Sequence, residues 1–357
     1  MKFRNFKMVD YVVYGRGSFN QLGEILAPHR HNNAPMVFLL DHHFQNHELR
    51  NRIPLQGNDM LIDVDVTHEP KTTYVDELAN LIKEQHGTAS GVIGIGGGSA
   101  MDLAKAVGIM MTNPGNAHDY QGWDLVKNAA VYKAGIPTLS GTGAEVSRTT
   151  VLTGPTRKLG MNSDFTPFNQ IVLDPDLIKD APANQRFYTG MDCFIHCVES
   201  LKGTFINEFS RSYGEKAQQL CEEVFLHKDE WNEESDEQLM MASYAGGMSI
   251  AYSQVGVAHA ISYGLSYLLG TKHGIGNCIV FNHLQEFYPE GVATFHKMVE
   301  KNNIFIPEGI TKGLTDEQFD TMINVSLGMV PLWENALGKD WQTIMTRDRL
   351  RNLYELF

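Results

Sequence analysis

Cysteine is scarce in this sequence, with four residues among 357. Two of them, Cys193 and Cys197, stand four positions apart, which is not the C-x-x-C spacing of a redox motif. Together with Cys221 and Cys278 they form no pattern of a disulfide framework. We interpret all four as reduced thiols packed as small apolar side chains, which is typical of a cytoplasmic protein.

Positive charge is also in deficit, because 29 Lys and Arg face 42 Asp and Glu and leave a formal net charge of -13. No basic stripe remains to neutralise phosphates, which argues against a nucleic-acid partner. The N-terminal MKFRNFKMVDYVVYG lacks the apolar core of a signal peptide, and no apolar run is long enough to span a bilayer. We therefore predict no membrane partner and a cytoplasmic location.

Strand and helix patterns alternate in the N-terminal half of the chain. The apolar runs MVFLLD, LIDVDV and GVIGIG are separated by segments with helical spacing. This alternation is typical of a parallel α/β sheet, and the length of the chain favours two domains. The strand pattern disappears from about Asn184 onward. We predict an α/β domain over residues 1–180 and a helical domain over residues 181–357.

A glycine cluster, GIGGGSAMD, connects one predicted strand to a helix at residues 94–102. Glycines let a backbone approach a diphosphate, and the helix that follows offers free N–H groups. The cluster is not a regular G-x-G-x-x-G, because Ser99 stands at the third glycine, and it is equally well explained as a tight turn. Asp41, at the end of an earlier strand, is a candidate for the ribose contact that favours NAD over NADP. Its alternative role is a helix N-cap.

The segment IPTLSGTGAEVSRTTVLT, residues 136–153, is a second candidate cofactor loop. Its hydroxyls and backbone donors could line the diphosphate and the nicotinamide ribose. Thr142 and Glu145 have the spacing of a capping box, so we also expect a helix to begin there.

Histidines in apolar surroundings indicate a possible metal site in the C-terminal half. Asp192 and His196 are one helical turn apart and share a face, where a buried carboxylate would be costly unless it is paired. His259 and His273 lie in the apolar, glycine-punctuated run Gln254–Gly276. The four make a one-carboxylate, three-imidazole set suited to Fe(II) or Zn(II). Ordinary core packing is the alternative for each histidine, and His283 is the nearest rival ligand.

Four motifs, in order, resemble the iron-containing (group III) alcohol dehydrogenases: GIGGGSAMDLAKAV, PTLSGTGAEVSRTTVLT, GMDCFIHCVES and GVAHAISYGLSYLLGTKHGIGN. The resemblance implies a Rossmann-like dinucleotide-binding domain and an all-helical metal-binding domain, an architecture shared with dehydroquinate synthase. It also implies a homodimer and oxidation of an alcohol to an aldehyde or ketone, with a divalent metal and NAD as cofactors. By motif position the metal ligands are Asp192, His196, His259 and His273. The cofactor-binding residues are Asp41, Gly97, Gly98, Ser99, Asp102, Thr138, Thr142 and Lys158.

The sequence departs from this family at Tyr263, where a second histidine usually follows the first by four positions. Leu139 also replaces a common hydroxyl residue. These departures resemble a branch that oxidises the terminal C8 hydroxyl of a sugar acid, such as 3-deoxy-manno-octulosonate, in lipopolysaccharide sugar biosynthesis. Tyr263 could relay the substrate proton or only pack beside His259. The alternative functions are a dehydroquinate synthase-like lyase with transient NAD use and a non-catalytic metal- or nucleotide-binding protein.

Overall fold

The computed structural model describes residues 6–31 and 33–357, which divide into two compact units. One unit comprises Met1–Leu139 and Ala144–Asp180, and the other comprises Ser140–Gly143 and Ala181–Phe357. All strands of the described chain lie in the first unit, and the second unit is helical. The predicted fold class, a parallel α/β region followed by an all-helical region, is confirmed.

The strands of the first unit are β1 (Tyr11–Tyr14), β2 (Met36–Asp41), β3 (Met60–Val64), β4 (Gly91–Gly96), β5 (Gly122–Trp123), β6 (Tyr132–Pro137), β7 (Thr149–Thr153), β8 (Lys158–Asn162) and β9 (Gln170–Leu173). Its helices are α1 (Leu22–Leu26), α2 (Glu48–Asn51), α3 (Thr72–His86) and α4 (Gly98–Met110). The helices of the second unit are α5 (Ala183–Lys202), α6 (Glu208–Glu222), α7 (Glu233–Tyr252), α8 (Val257–Leu269), α9 (His273–Phe281), α10 (Pro289–Lys301), α11 (Asp316–Leu327), α12 (Val330–Leu337), α13 (Trp341–Ile344) and α14 (Arg347–Tyr354). A π-helical turn, Glu223–His227, follows α6.

The main sheet is six-stranded and parallel, in the order β1-β9-β6-β4-β2-β3. Strand β4 is buried throughout and β2 nearly so, as expected of parallel strands covered on both faces. Leu40 pairs with Ile95, and Gly96 pairs with Pro137. The carboxyl ends of β2, β4 and β6 are therefore neighbours, which is where ligands bind in open α/β sheets.

A second sheet of three strands, in the order β5-β8-β7, was not predicted. Strands β7 and β8 are antiparallel, so the α/β unit is not built from parallel strands alone. The prediction of a helix that begins near Thr142 is wrong, because residues 144–146 form a turn and β7 starts at Thr149. Gly141 and Gly143 have φ values of 140° and 65°, which a helix does not use.

Helix α5 is the core of the helical unit, since almost every residue from Phe187 to Ser200 is buried. It packs against α6, α7 and α9. The glycine-rich segment Gln238–Leu269 is divided between α7 and α8. Gly256 marks the break, and a Cβ added there would lie 2.7 Å from the Tyr288 hydroxyl.

All four cysteines are buried free thiols, as interpreted from the sequence. Among the described residues, no helix combines the length and apolar character that a membrane crossing requires.

Candidate metal centre and cofactor loops

Two buried ligand candidates come from α5, where Asp192 and His196 occupy successive turns of one face. Asp192 is 0% exposed and His196 is 2% exposed. The Asp192 Oδ1 atom lies 3.8 Å from His196 Nε2. The i, i+4 spacing predicted from the sequence therefore places both side chains at one point of the helical core.

Helices α8 and α9 bring the other two histidines to the same point. Asp192 Oδ1 lies 3.5 Å from His259 Nε2 and 3.7 Å from His273 Nε2. Among the described residues, these four form the one group of three or more His, Cys, Asp or Glu able to hold a metal ion, and their ligand atoms lie within 4.8 Å of one another. His283, the rival ligand, packs against the Phe357 ring instead.

The spacing of the four ligand atoms fits a divalent cation. Bonds of about 2.0–2.2 Å in a tetrahedral site place ligand atoms roughly 3.3–3.6 Å apart, close to the distances from Asp192. Asp192 Oδ2 is buried without a hydrogen-bond partner in the described part of the chain. An orphaned buried carboxylate oxygen is costly, and a bound cation would relieve that cost.

The electrostatics of the group also favour a cation. Burial acts to raise the pKa of Asp192, but His273, His196 and His259 hold it well below its usual range. Burial acts to lower the pKa of His259, but Glu199 and Asp192 raise it to about 9. Burial lowers the pKa of His196. The carboxylates beside these imidazoles thus favour positive charge at this point of the helical core.

Two further residues contact the ligand group and were missed from the sequence. Glu199 Oε2 lies 2.5 Å from His259 Nδ1. The Asn277 amide nitrogen lies 2.6 Å from Asp192 Oδ1 and 2.9 Å from His259 Nε2. Spacing gave a signal in both cases, because Glu199 continues the Asp192 and His196 face by another turn and Asn277 follows His273 by one turn.

The four ligand positions are not equally enclosed. The His273 side chain is 24% exposed, whereas those of the other three ligands are at most 3% exposed. Tyr263 is the residue beside this open edge, with its ring centroid 5.8 Å from that of His273. Tyr263 also lies one turn of α8 beyond His259. His273 is thus the least enclosed of the four candidates, and Tyr263 is its neighbour.

The first cofactor loop joins β4 to α4 at the carboxyl edge of the main sheet. Gly97 is the N-cap of α4 and leaves the first turn, which contains Gly98 and Ser99, without a side-chain cap. The N-terminal N–H groups of α4 are thus not occupied by a capping side chain, as a diphosphate site requires. Thr138, at the start of the second loop, donates its N–H to the Gly96 carbonyl at 2.9 Å.

Asp41 fulfils its alternative role as an N-cap, because its Oδ1 accepts from the His43 N–H at 3.0 Å. Its other oxygen faces the glycine loop, since a Cβ added at Gly96 would lie 3.5 Å from Oδ2. Asp41 therefore lies beside the glycine loop while it caps the helical turn. Its contact with the ribose of NAD stays a prediction.

Asp102 and Lys158 make contacts within the first unit. Asp102 Oδ2 accepts from the Val151 N–H at 3.0 Å and so ties α4 to β7. Burial raises the pKa of Asp102 to about 7. Lys158 is 0% exposed and lies 3.0 Å from Glu69. Their contacts with a cofactor stay predictions.

The turn of the second loop, Ser140–Gly143, packs on the helices of the second unit. A Cβ added at Gly141 would lie 1.7 Å from the Thr189 carbonyl oxygen, and one at Gly143 would lie 2.5 Å from Gly247 Cα. Gly143 N–H donates to Ser243 Oγ at 3.3 Å. The loop that contains Thr142 thus contacts α5 one turn before Asp192.

A parallel α/β sheet with an uncapped glycine loop, and a helical unit with a carboxylate and three imidazoles, are the parts expected of an enzyme that binds a dinucleotide and a divalent metal. Two family models match this chain. The model described as iron-containing alcohol dehydrogenase matches residues 10–175, and the C-terminal model of the Fe-containing alcohol dehydrogenase family matches residues 186–323. The chain belongs to the iron-containing alcohol dehydrogenase family and acts on CH–OH groups, as predicted.

Individual relatives support this assignment. The chain is 30% identical over 291 residues to the NAD-dependent methanol dehydrogenase of Bacillus methanolicus. The aligned region covers 79% of this chain and 75% of that protein. The chain is 31% identical over 188 residues to the sulfoacetaldehyde reductase of Bilophila wadsworthia, which covers 52% and 49%. The structure of an alcohol dehydrogenase from Oenococcus oeni matches with a TM-score of 0.80 at 21% identity, over 99% of both chains. That similarity concerns the fold alone.

Proposed function

We propose that this protein is a metal- and NAD-dependent dehydrogenase that oxidises a primary alcohol carrying an anionic group. The terminal C8 hydroxyl of 3-deoxy-manno-octulosonate is the substrate predicted from the sequence. The ligand cluster is the observation that supports the metal dependence. The NAD dependence of the methanol dehydrogenase relative supports the choice of nicotinamide.

Asp192, His196, His259 and His273 are the residues that would hold the cation. When bound, a divalent cation would supply Lewis-acid chemistry that makes the substrate hydroxyl more acidic. The open edge beside His273 admits substrate, while burial of the other three ligands excludes water from the remaining sides. The α4 N-terminus and Thr138 would bind the diphosphate and orient the hydride acceptor.

Tyr263 is the residue that we propose as the proton relay. Its ring centroid lies 5.8 Å from that of His273, and the residue is only 9% exposed. A phenol ordinarily has a pKa near 10, so a hydrogen-bonded chain must assist proton transfer at neutral pH. We expect Tyr263→Phe to lower kcat by roughly 10²-fold without loss of bound metal. Unchanged turnover across pH would rule out the relay.

The position of Lys272 supports a substrate with negative charge. Lys272 is exposed and is the N-cap of α9, immediately before His273. The other basic residues near the motifs are engaged: Arg148 contacts Asp164 at 2.9 Å, Lys158 is buried beside Glu69, and Lys202 lies 3.4 Å from Glu290. The sulfoacetaldehyde reductase relative is named for a substrate that bears a sulfonate.

A substrate panel tests the proposal. Metal-loaded protein would be supplied with methanol, choline, 2-hydroxyethanesulfonate and 3-deoxy-manno-octulosonate, with NADH and carbonyl product measured separately. We expect stoichiometric NADH and the largest kcat/KM for an anionic alcohol, reduced in Lys272→Ala. Equal or better use of neutral alcohols would contradict the anionic preference. Product without net NADH would favour the lyase, and no turnover would favour the non-catalytic protein.

The homodimer and the cytoplasmic location also stay proposals. Strand β1 is an edge strand of the main sheet, and it exposes 68% of Tyr11 and 48% of Tyr14. An edge strand with exposed aromatics is suited to pairing with another chain. Light scattering coupled to size exclusion would give twice the 40.0 kDa chain mass for a homodimer; the chain mass alone would refute it.

A further inference from the structure

We propose that Glu199 is a positioning residue for the metal centre. Its carboxylate holds His259 with the proton on Nδ1, so that Nε2 is left as the ligand atom. The inference rests on the proposed metal dependence, and it adds a residue outside the ligand set. It is carried by the contacts of the two Glu199 oxygens.

The Glu199 carboxylate is fully engaged inside the helical core. Glu199 is 1% exposed, and its Oε2 lies 2.5 Å from His259 Nδ1. An ionised carboxylate only accepts hydrogen bonds, so Nδ1 must be the protonated nitrogen of this imidazole. Nε2 then accepts from the Asn277 amide at 2.9 Å and lies 3.5 Å from Asp192 Oδ1, where the other ligand atoms converge. A carboxylate behind a metal-ligating histidine fixes its tautomer and orientation.

The second oxygen of Glu199 fixes the start of the helix that carries His259. Glu199 Oε1 accepts from the Ala258 N–H at 2.6 Å, at the second position of α8. A negative group at a helix N-terminus is stabilising. Gly256 makes room for this approach, because a Cβ there would lie 3.4 Å from Glu199 Oε1. One side chain thus orients both the imidazole and the backbone that carries it.

The other buried histidine provides a contrast. His196 Nδ1 has no hydrogen-bond partner in the described part of the chain. His259 is therefore held from behind by a charged group, while His196 is positioned by packing and by α5. Loss of Glu199 should release His259 in particular and lower the affinity for the cation.

A purely structural role for Glu199 predicts a different pattern, and Tyr288 supplies the matched control. The Tyr288 hydroxyl accepts from the Val257 N–H at 3.3 Å, so it caps the same turn of α8 without contact to His259. Tyr288→Phe removes this hydrogen bond and retains the Glu199 carboxylate with its contacts to His259 and Ala258. In Glu199→Gln, the side-chain oxygen can accept from only one of the two donors, the Ala258 N–H and the His259 Nδ1–H. The amide N–H₂ faces the other donor.

The test is the affinity of each variant for Zn(II) and Co(II), measured by competition with a chelator in the absence of substrate. We expect Glu199→Gln to bind 10- to 100-fold more weakly, with a changed Co(II) absorption spectrum, and Tyr288→Phe to bind as wild type. Equal affinity in Glu199→Gln and wild type, or an equal loss in both variants, would overturn the proposal.

A measurement on the wild-type protein covers the case in which Glu199→Gln does not fold. In ¹⁵N-histidine-labelled, zinc-loaded protein, the His259 Nδ1 should be protonated and coupled to a slowly exchanging proton. An unprotonated or metal-bound Nδ1 would refute the assignment. Neither readout requires turnover, so a protein that binds metal through this pair but oxidises no alcohol would refute the proposed function alone.

Discussion

The turn of the second cofactor loop gives the sharpest stability prediction, through Gly141→Ala. The new Cβ would lie 1.7 Å from the Thr189 carbonyl oxygen and 2.1 Å from its carbon. The obstacle is helix backbone, which cannot rotate away as a flexible side chain can. The φ of 140° at Gly141 is also strained for any residue with a Cβ.

The two effects have known scales. A non-glycine residue in an unfavourable backbone region costs about 1–3 kcal/mol, and forced overpacking costs about 1–3 kcal/mol more. We therefore expect Gly141→Ala to lower the free energy of unfolding by roughly 2–6 kcal/mol. At about 2 °C per kcal/mol for a large chain, the melting midpoint should fall by about 4–12 °C.

Gly276→Ala is the matched control. A Cβ at Gly276 would meet nothing closer than 3.8 Å, although this residue lies in α9 between His273 and Asn277. Alanine is the better helix former, so this variant should melt at or slightly above the wild-type temperature. Thermal unfolding by circular dichroism would compare the three proteins. A Gly141→Ala variant as stable as Gly276→Ala would refute the packing of this loop on α5.

Two further predictions concern a buried lysine and a buried amide. Burial lowers the pKa of Lys133 to about 7, so between pH 7 and the unfolded pKa of about 10.5 the unfolded state binds more protons and stability rises with pH. We expect Lys133→Met to be more stable than the wild-type protein at pH 7, by on the order of a few kcal/mol, and equally stable near pH 10.5. Urea titrations at both pH values would measure this, and a stability difference that does not change with pH would contradict the prediction. Asn277→Ala should weaken metal binding about 10-fold in chelator competition, because it removes the N–H donated to Asp192. Unchanged affinity would show that this contact has no effect on the centre.

Much of the α/β unit could be predicted from the sequence because its strands are fully buried. The runs MVFLLD and GVIGIG correspond to β2 and β4 residue for residue, since a parallel strand covered on both faces needs a continuous apolar run. Two of the four candidate metal ligands, Asp192 and His196, could be predicted to lie together because the i, i+4 spacing places side chains on one face of any regular helix.

The parts that failed depend on contacts between distant residues. Thr142 and Glu145 have a local helix signal, but the close approach of Gly141 to Thr189 and of Gly143 to Gly247 selects a turn instead. The spacing of Glu199 places it on the Asp192 face, but its contact with His259, 60 positions away in the sequence, could not be predicted. No pattern along the chain shows which histidine a buried carboxylate will meet.

The central claim is that the Asp192 cluster holds one divalent cation on which alcohol oxidation depends. The most direct test is metal content per chain in wild type and Asp192→Asn, after chelation and reconstitution with Fe(II) or Zn(II). We predict about one ion per wild-type chain, NADH formation in proportion to that content, and little metal or activity in the variant. A metal-free wild-type protein with full activity, or an Asp192→Asn variant that retains its ion, would contradict the claim.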